Sequence, residues 1–248
     1  MNPVLKKIIE EKKLEIKKIP NYSPTKKPKF SLFANLSKKK NSIIAECKKG
    51  SPSKGIIRTN YNALNIAKIY EECNASGISV LTDERFFHGS LQDLLEVSSN
   101  VNLPTIRKDF IIDEKQIAEA VEFGASAILL IVRILTESRL EELHKYARSL
   151  GLDILVETHS KEEIETAVKI GSKLIGINTR DLDTFLIHKD LIKELHKYIP
   201  NDVIAIGESG VNSKEDLDEM FQYISSALIG TYFMQTDDIK KAFIELGI

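Results

Sequence analysis

AILLIVRILTESRLEELHKYARSLGLDILVE, residues 127–157, reads as a strand, a helix and a second strand. AILLIV and DILVE are short, apolar and rich in branched side chains, the pattern of strands covered on both faces, as in a parallel sheet. Between them Leu135, Leu140, Leu143, Tyr146, Ala147 and Leu150 recur with a helical period and share one stripe, while charged residues fill the rest. Thr136 stands where a helix cap belongs, and Gly151 where a helix stops.

The same unit recurs along the chain. SIIAE begins at 42, ISVLT at 78, PTIRK at 104, LIGIN at 174, VIAIGE at 203 and SALIG at 226, each pair separated by a charged segment with helical periodicity. Ser160 and Ser213 precede helical segments, and Gly77, Gly124 and Gly171 follow others. Eight strand–helix alternations in 248 residues predict an α/β fold of the (β/α)8 TIM-barrel type, because a doubly wound open sheet seldom needs eight strands in this length. A single domain over 1–248 is expected. Residues 1–40 fall outside the repeat. Leu5, Ile8, Ile9, Ile16 and Ile19 share a helical face, and Pro20, Pro24 and Pro28 stiffen a linker after it. Acids interrupt the polar face of that helix, so we read 1–40 as a helical extension over the barrel mouth rather than a helix lying on a membrane.

Charge and composition exclude several classes. With 35 basic and 36 acidic residues the net charge is −1, and the N-terminal lysines alternate with Glu10, Glu11 and Glu15, so no nucleic-acid partner is expected. The longest apolar run, residues 125–132, stops at Arg133 and is too short to span a bilayer, and the N-terminus has no signal-peptide core. Cys47 and Cys73 lack redox or zinc spacing and suit a reducing compartment. His144, His159, His188 and His196 form no ligand pair in sequence, so no metal is expected. The expectation is a cytoplasmic protein.

In such barrels the C-terminal strand ends carry the chemistry. The first strand runs into IIAECKKGSPSKG, residues 43–55, where Glu46 and Lys48 point to the same side of the extended chain as Ile44. Lys108, Glu157, Asn178, Arg180 and Glu208 stand at later strand ends. Lysines and glutamates converging on one narrow mouth shift each other's pKa values, which suits proton-transfer catalysis. GESG at 207–210 and IGT at 229–231 bring glycine backbone and the Ser209 and Thr231 hydroxyls to the last two strands, where barrels of this kind hold phosphate. Phe86, Phe87 and Phe110, in the loops after the second and third strands, offer a surface for an aromatic ring.

These stretches together resemble the indole-3-glycerol phosphate synthase family of tryptophan biosynthesis: IIAECKKGSPSKG, SVLTDERFFHGS, IRKDFIID, ILLIVRIL, ILVETHS, IGINTRDLDTF, AIGESGV and ALIGTYFM occur in family order. The resemblance implies a carboxy-lyase that closes the ring of 1-(2-carboxyphenylamino)-1-deoxyribulose 5-phosphate with loss of carbon dioxide and water, using no cofactor. It implies Lys108 as general acid, Glu157 as general base in the dehydration, Asn178 as its holder, Lys48 as partner of the substrate carboxylate and a sharer of acid duty, and Glu46 and Glu208 as orienting carboxylates. Ser51, Phe87, Phe110, Leu129, Ile131, Arg180 and Leu182 are implied to line the aryl and carboxylate end, and Ser209, Gly210, Gly230 and Thr231 to hold the phosphate. Cys47, His159 and Thr231 depart from the family pattern, and no tryptophan lies on the N-terminal helix. The expected partner is a small phosphorylated substrate, met by a monomer rather than a homodimer. Two other chemistries fit the same residues: a Schiff-base aldolase with Lys108 as nucleophile, and a phosphate-ligand-binding module without catalysis.

Overall fold

The computed structural model describes residues 3–248, so Met1 and Asn2 of the extension lie outside the described residues. Among the described residues eight parallel strands close on themselves: β1 (Ser42–Cys47), β2 (Gly77–Leu81), β3 (Thr105–Lys108), β4 (Ala127–Ile131), β5 (Asp153–Thr158), β6 (Leu174–Asn178), β7 (Ile204–Glu208) and β8 (Ser226–Ile229), with β8 pairing back onto β1. Helices follow the strands, and the chain is a (β/α)8 TIM barrel. Each strand falls on the apolar run that announced it, with ends that agree to within one residue. Pro104, for example, has no N–H for the ladder and serves only through its carbonyl, which accepts from Ile78 N at 2.9 Å.

The caps also form as their residue types dictate. Thr136, Ser160 and Ser213 accept from the backbone N–H of Arg139, Glu163 and Asp216, three residues on. Gly124, Gly151 and Gly171 take left-handed φ of 79°, 84° and 79° behind their helices. Gly77 does a different job from the one its spacing predicts. Asn74, φ 58°, makes the left-handed turn there, and Gly77 opens β2, where a Cβ would stand 2.8 Å from Leu32 Cδ1.

Alternation along the strands divides the core in two. Ile43, Val80, Ile128 and Val156 face outward onto helices that contribute Leu143, Ile164 and Phe233. Ile44, Ile106, Leu129, Leu155, Ile206 and Leu228 fill the barrel interior. Two residues beyond an interior side chain the strand points inward again, now at the mouth. Ile44 is thus followed by Glu46, Ile106 by Lys108, Leu155 by Glu157 and Ile206 by Glu208.

The extension reaches both ends of the barrel. Helix α1 (Pro3–Glu15) brings Val4, Leu5 and Ile8 to the mouth. Helix α2 (Leu32–Leu36) plugs the opposite end, where Leu32 and Leu36 join the interior cluster, and Asp153 at the start of β5 accepts from Ser31 Oγ at 2.8 Å and Phe33 N at 3.0 Å. Ile9, Ile16 and Ile19 are only partly buried. The third buried side chain of α1 is instead Lys12. No helix of the described residues is long and apolar enough to cross a membrane.

Candidate active site

A cavity of about 310 Å³ opens among the C-terminal strand ends, and every site residue singled out in the sequence except Phe86 lines it. Its centre is Lys108 at the end of β3. The ammonium lies 3.5 Å from Glu157 Oε2 on β5 and 3.4 Å from Glu208 Oε2 on β7. Burial alone would lower the lysine's pKa, but Glu208, Glu157 and Glu46 outweigh it and hold the group above the ordinary lysine range. Lys108 is therefore firmly protonated at neutral pH.

The carboxylates around it differ. Glu46 on β1 accepts from Lys48 Nζ at 2.8 Å and from Ser79 Oγ at 3.1 Å. Burial opposes its charge, yet Lys48 and Lys108 keep its pKa below the ordinary glutamate value. Glu208 is pushed up to about 8, first by burial and then, against the pull of Lys108, by the charges of Glu157 and Glu46. Both its side-chain oxygens are buried, and the ion pair of Oε2 with Lys108 is the polar contact they make. Two glycines make room for this pair: a Cβ on Gly176 would meet Glu208 Oε1 at 2.1 Å, and one on Gly230 would meet Glu46 Oε1 at 2.5 Å.

Glu157, 2% exposed, has a second neighbour that its sequence context left unassigned. His159 is buried beside it, Nε2 3.6 Å from Glu157 Oε1 and Nδ1 3.4 Å from Glu163 Oε2. Asn178 does not touch Glu157 through its side-chain oxygen, which accepts from Arg180 N at 3.0 Å. That bond sets the amide's orientation and leaves Nδ2 as its donor.

One end of the cavity is built around Phe87 and Phe110, ring centroids 6.0 Å apart and tilted by 43°, together with Leu129, Ile131, Leu182, Arg180 and Ser51. Phe86 is not part of the lining; its ring packs under Arg85 instead. At the other end Ser209 and Gly210 both adopt left-handed φ, 67° and 84°, and turn the loop after β7 toward Gly230 and Thr231, which open the short helix Thr231–Met234. A Cβ at Gly210 would stand 2.9 Å from Thr179 Oγ1, so the turn and the tight contact both call for glycine. Among the described residues no cluster of three or more His, Cys, Asp or Glu side chains is arranged for a metal ion.

Sequence reasoning missed several lining residues. Phe185 and Ile187 come from the long loop after β6, and Asn212 from the loop after β7. Lys12 lies just behind the lining, with Nζ 2.8 Å from Asp83 Oδ2, 2.9 Å from Asp109 Oδ1 and 2.8 Å from Glu15 Oε2. Asp109 is held down to about 2, burial being overcome by Lys12 and Arg107. The signal for Lys12 was its spacing, four residues after Ile8 and seven after Leu5, on the apolar stripe.

The family model for indole-3-glycerol phosphate synthase matches residues 5–246. The indole-3-glycerol phosphate synthase of Leptospira interrogans is 51% identical over 98% of this chain and 96% of that protein, and that of Streptococcus gordonii 43% identical over 97% and 96%. Among solved structures, N-acetylmannosamine-6-phosphate 2-epimerase from Clostridium perfringens superposes with a TM-score of 0.65 at 15% identity, covering 90% of this chain and 100% of that one. A mutant tryptophan synthase α-subunit from Pyrococcus furiosus gives 0.64 at 15%, covering 85% and 99%. Both of these share the fold alone.

Proposed function

The chain belongs to the indole-3-glycerol phosphate synthase family, a carboxy-lyase of tryptophan biosynthesis, and from that premise we propose how its mouth carries out the reaction. The substrate, 1-(2-carboxyphenylamino)-1-deoxyribulose 5-phosphate, lies with its ring against Phe87 and Phe110 and its phosphate on Ser209, Gly210, Gly230 and Thr231. Lys48 pairs with the ring carboxylate. The aromatic carbon bearing that carboxylate attacks the sugar carbonyl carbon as Lys108 delivers a proton to the carbonyl oxygen. Carbon dioxide then leaves without its bonding electron pair, which restores the aromatic ring. Lys108, reprotonated from solvent, then gives a proton to the new hydroxyl, which departs as water, while Glu157 takes the proton lost from the sugar carbon next to nitrogen as the double bond forms and returns it to solvent. Glu46 holds Lys48, Asn178 Nδ2 steers the leaving hydroxyl, and Glu208 holds a sugar hydroxyl.

The observation that carries this reading is the single ammonium of Lys108 with Glu157 and Glu208 at 3.5 and 3.4 Å. Such neighbours favour the charged form, as a proton donor needs. A Schiff-base nucleophile must be the free amine, and the same carboxylates oppose it. The test is Lys108→Met. Turnover should fall by about 10²- to 10⁴-fold in a folded protein, and borohydride with the substrate should leave no covalent adduct on the wild type. Near-normal turnover in the variant, or a trapped adduct on Lys108, overturns the assignment. The reading also takes residues 1–248 as one working domain, a monomer in the cytoplasm acting on a small phosphorylated molecule and on neither nucleic acid nor membrane; the free thiols Cys47 and Cys73 suit a reducing compartment.

A further inference from the structure

We propose that Lys12 is a positioning residue of the active site, fixing from the N-terminal helix the two phenylalanines that grip the aryl ring. The inference rests on the reading of Phe87 and Phe110 as the ring's cradle. Asp83 accepts from the backbone N–H of Phe86 at 2.7 Å and of Phe87 at 3.2 Å with Oδ1, and turns Oδ2 to Lys12 at 2.8 Å. Asp109 accepts from Phe110 N at 2.8 Å with Oδ1, the same oxygen that meets Lys12 at 2.9 Å, while its Oδ2 takes Thr82 Oγ1 at 2.6 Å and Arg107 at 3.3 Å. One ammonium therefore ties together two carboxylates, each of which holds the backbone of one cradle ring.

The geometry fits positioning better than simple anchoring. Lys12 is 2% exposed, Asp83 0% and Asp109 3%. The apolar stripe that carries Leu5 and Ile8 already docks α1, whereas removing the cation alone would leave Asp83 and Asp109 buried and unpaired beside the two rings. What only a cation supplies is a fixed separation between two like charges. Asp109 also directly follows Lys108, so the same contact steadies the strand end that bears the acid. Val4, Leu5 and Ile8 line the cavity, and docking of α1 and shaping of the aryl end thereby become one event.

The test compares Lys12→Met, Lys12→Arg and Phe87→Ala with the wild type by calorimetric titration. One ligand is an unreactive substrate analogue whose sugar carbonyl is reduced to an alcohol; the other is inorganic phosphate, which reports the opposite end of the cavity. Lys12→Met should weaken the analogue by about tenfold or more, since small displacements at a cradle are costly, and leave phosphate affinity unchanged. Lys12→Arg should restore most of the loss. Equal weakening of both ligands, or none of either, overturns the proposal. If Phe87→Ala leaves analogue affinity intact, the aryl assignment itself fails; if Phe87→Ala weakens the analogue and Lys12→Met does not, only the role of Lys12 fails. Should Lys12→Met not fold, Lys12→Gln is judged by the same criteria, because its amide still donates to both carboxylates without fixing them by charge.

Discussion

Glu157 and Glu208 face the same ammonium, yet their environments give them different work. Glu208, raised from an ordinary value of 4.5 to about 8 by burial and by the charges of Glu157 and Glu46, is the carboxylate of this group that takes up a proton most readily. A group raised in this way favours folding fully below its ordinary value, and that contribution is lost as pH rises through about 8. Glu208→Gln imitates the protonated form. It should therefore keep substantial kcat below pH 8 and lose the decline in urea stability expected of the wild type between pH 5 and pH 8.5. Glu157→Gln should lose about 10²- to 10⁴-fold in kcat at every pH, as for a missing general base. An unchanged stability slope in Glu208→Gln would contradict the assignment. Much of this was legible in the sequence, because strand alternation alone points Glu46, Lys108, Glu157 and Glu208 inward. The unequal protonation of Glu208 was not, since it depends on which carboxylates end up sharing one lysine. Lys12 escaped notice for a related reason: a charge on an apolar stripe reads as a defect until Asp83 and Asp109 arrive from other loops.

At the scale of elements, the continuous apolar runs located all eight strands, and Ser/Thr caps located helix starts, because both signals are local. Helix α2 was illegible. Five residues are too few to show a period, and what holds them is the barrel floor, reached only when Asp153 and Gly77 close on Ser31 and Leu32. Leu32 is fully buried far from the mouth. Leu32→Ala should cost about 2–5 kcal/mol of stability by the lost burial and the cavity left behind, with KM and kcat unchanged below the melting range. Urea unfolding beside steady-state kinetics checks this, and an altered KM would mean that the floor shapes the site. The loops after β7 and β8 predict the reverse pattern. Replacing Ser209 and Thr231 together by alanine should raise KM with a smaller change in kcat, since contacts to a phosphate remote from the reacting carbons are equal in ground and transition states. A fall in kcat alone would count against phosphate binding there.

For the whole molecule, the barrel turns a repeated local pattern into a site that no single segment contains: in the proposed reaction β3 supplies the acid, β5 the base, the end of β1 the carboxylate reader, and the loops after β7 and β8 the phosphate contacts, while α1 lines the mouth. In the proposed reaction these side chains alone perform ring closure, decarboxylation and dehydration. Its most direct measurement is to incubate the purified chain with 1-(2-carboxyphenylamino)-1-deoxyribulose 5-phosphate in excess chelator, following indole fluorescence and released carbon dioxide together. The expected result is an indole signal with one carbon dioxide per product, unaffected by the chelator. No indole from the folded protein, or turnover abolished by the chelator, would contradict it.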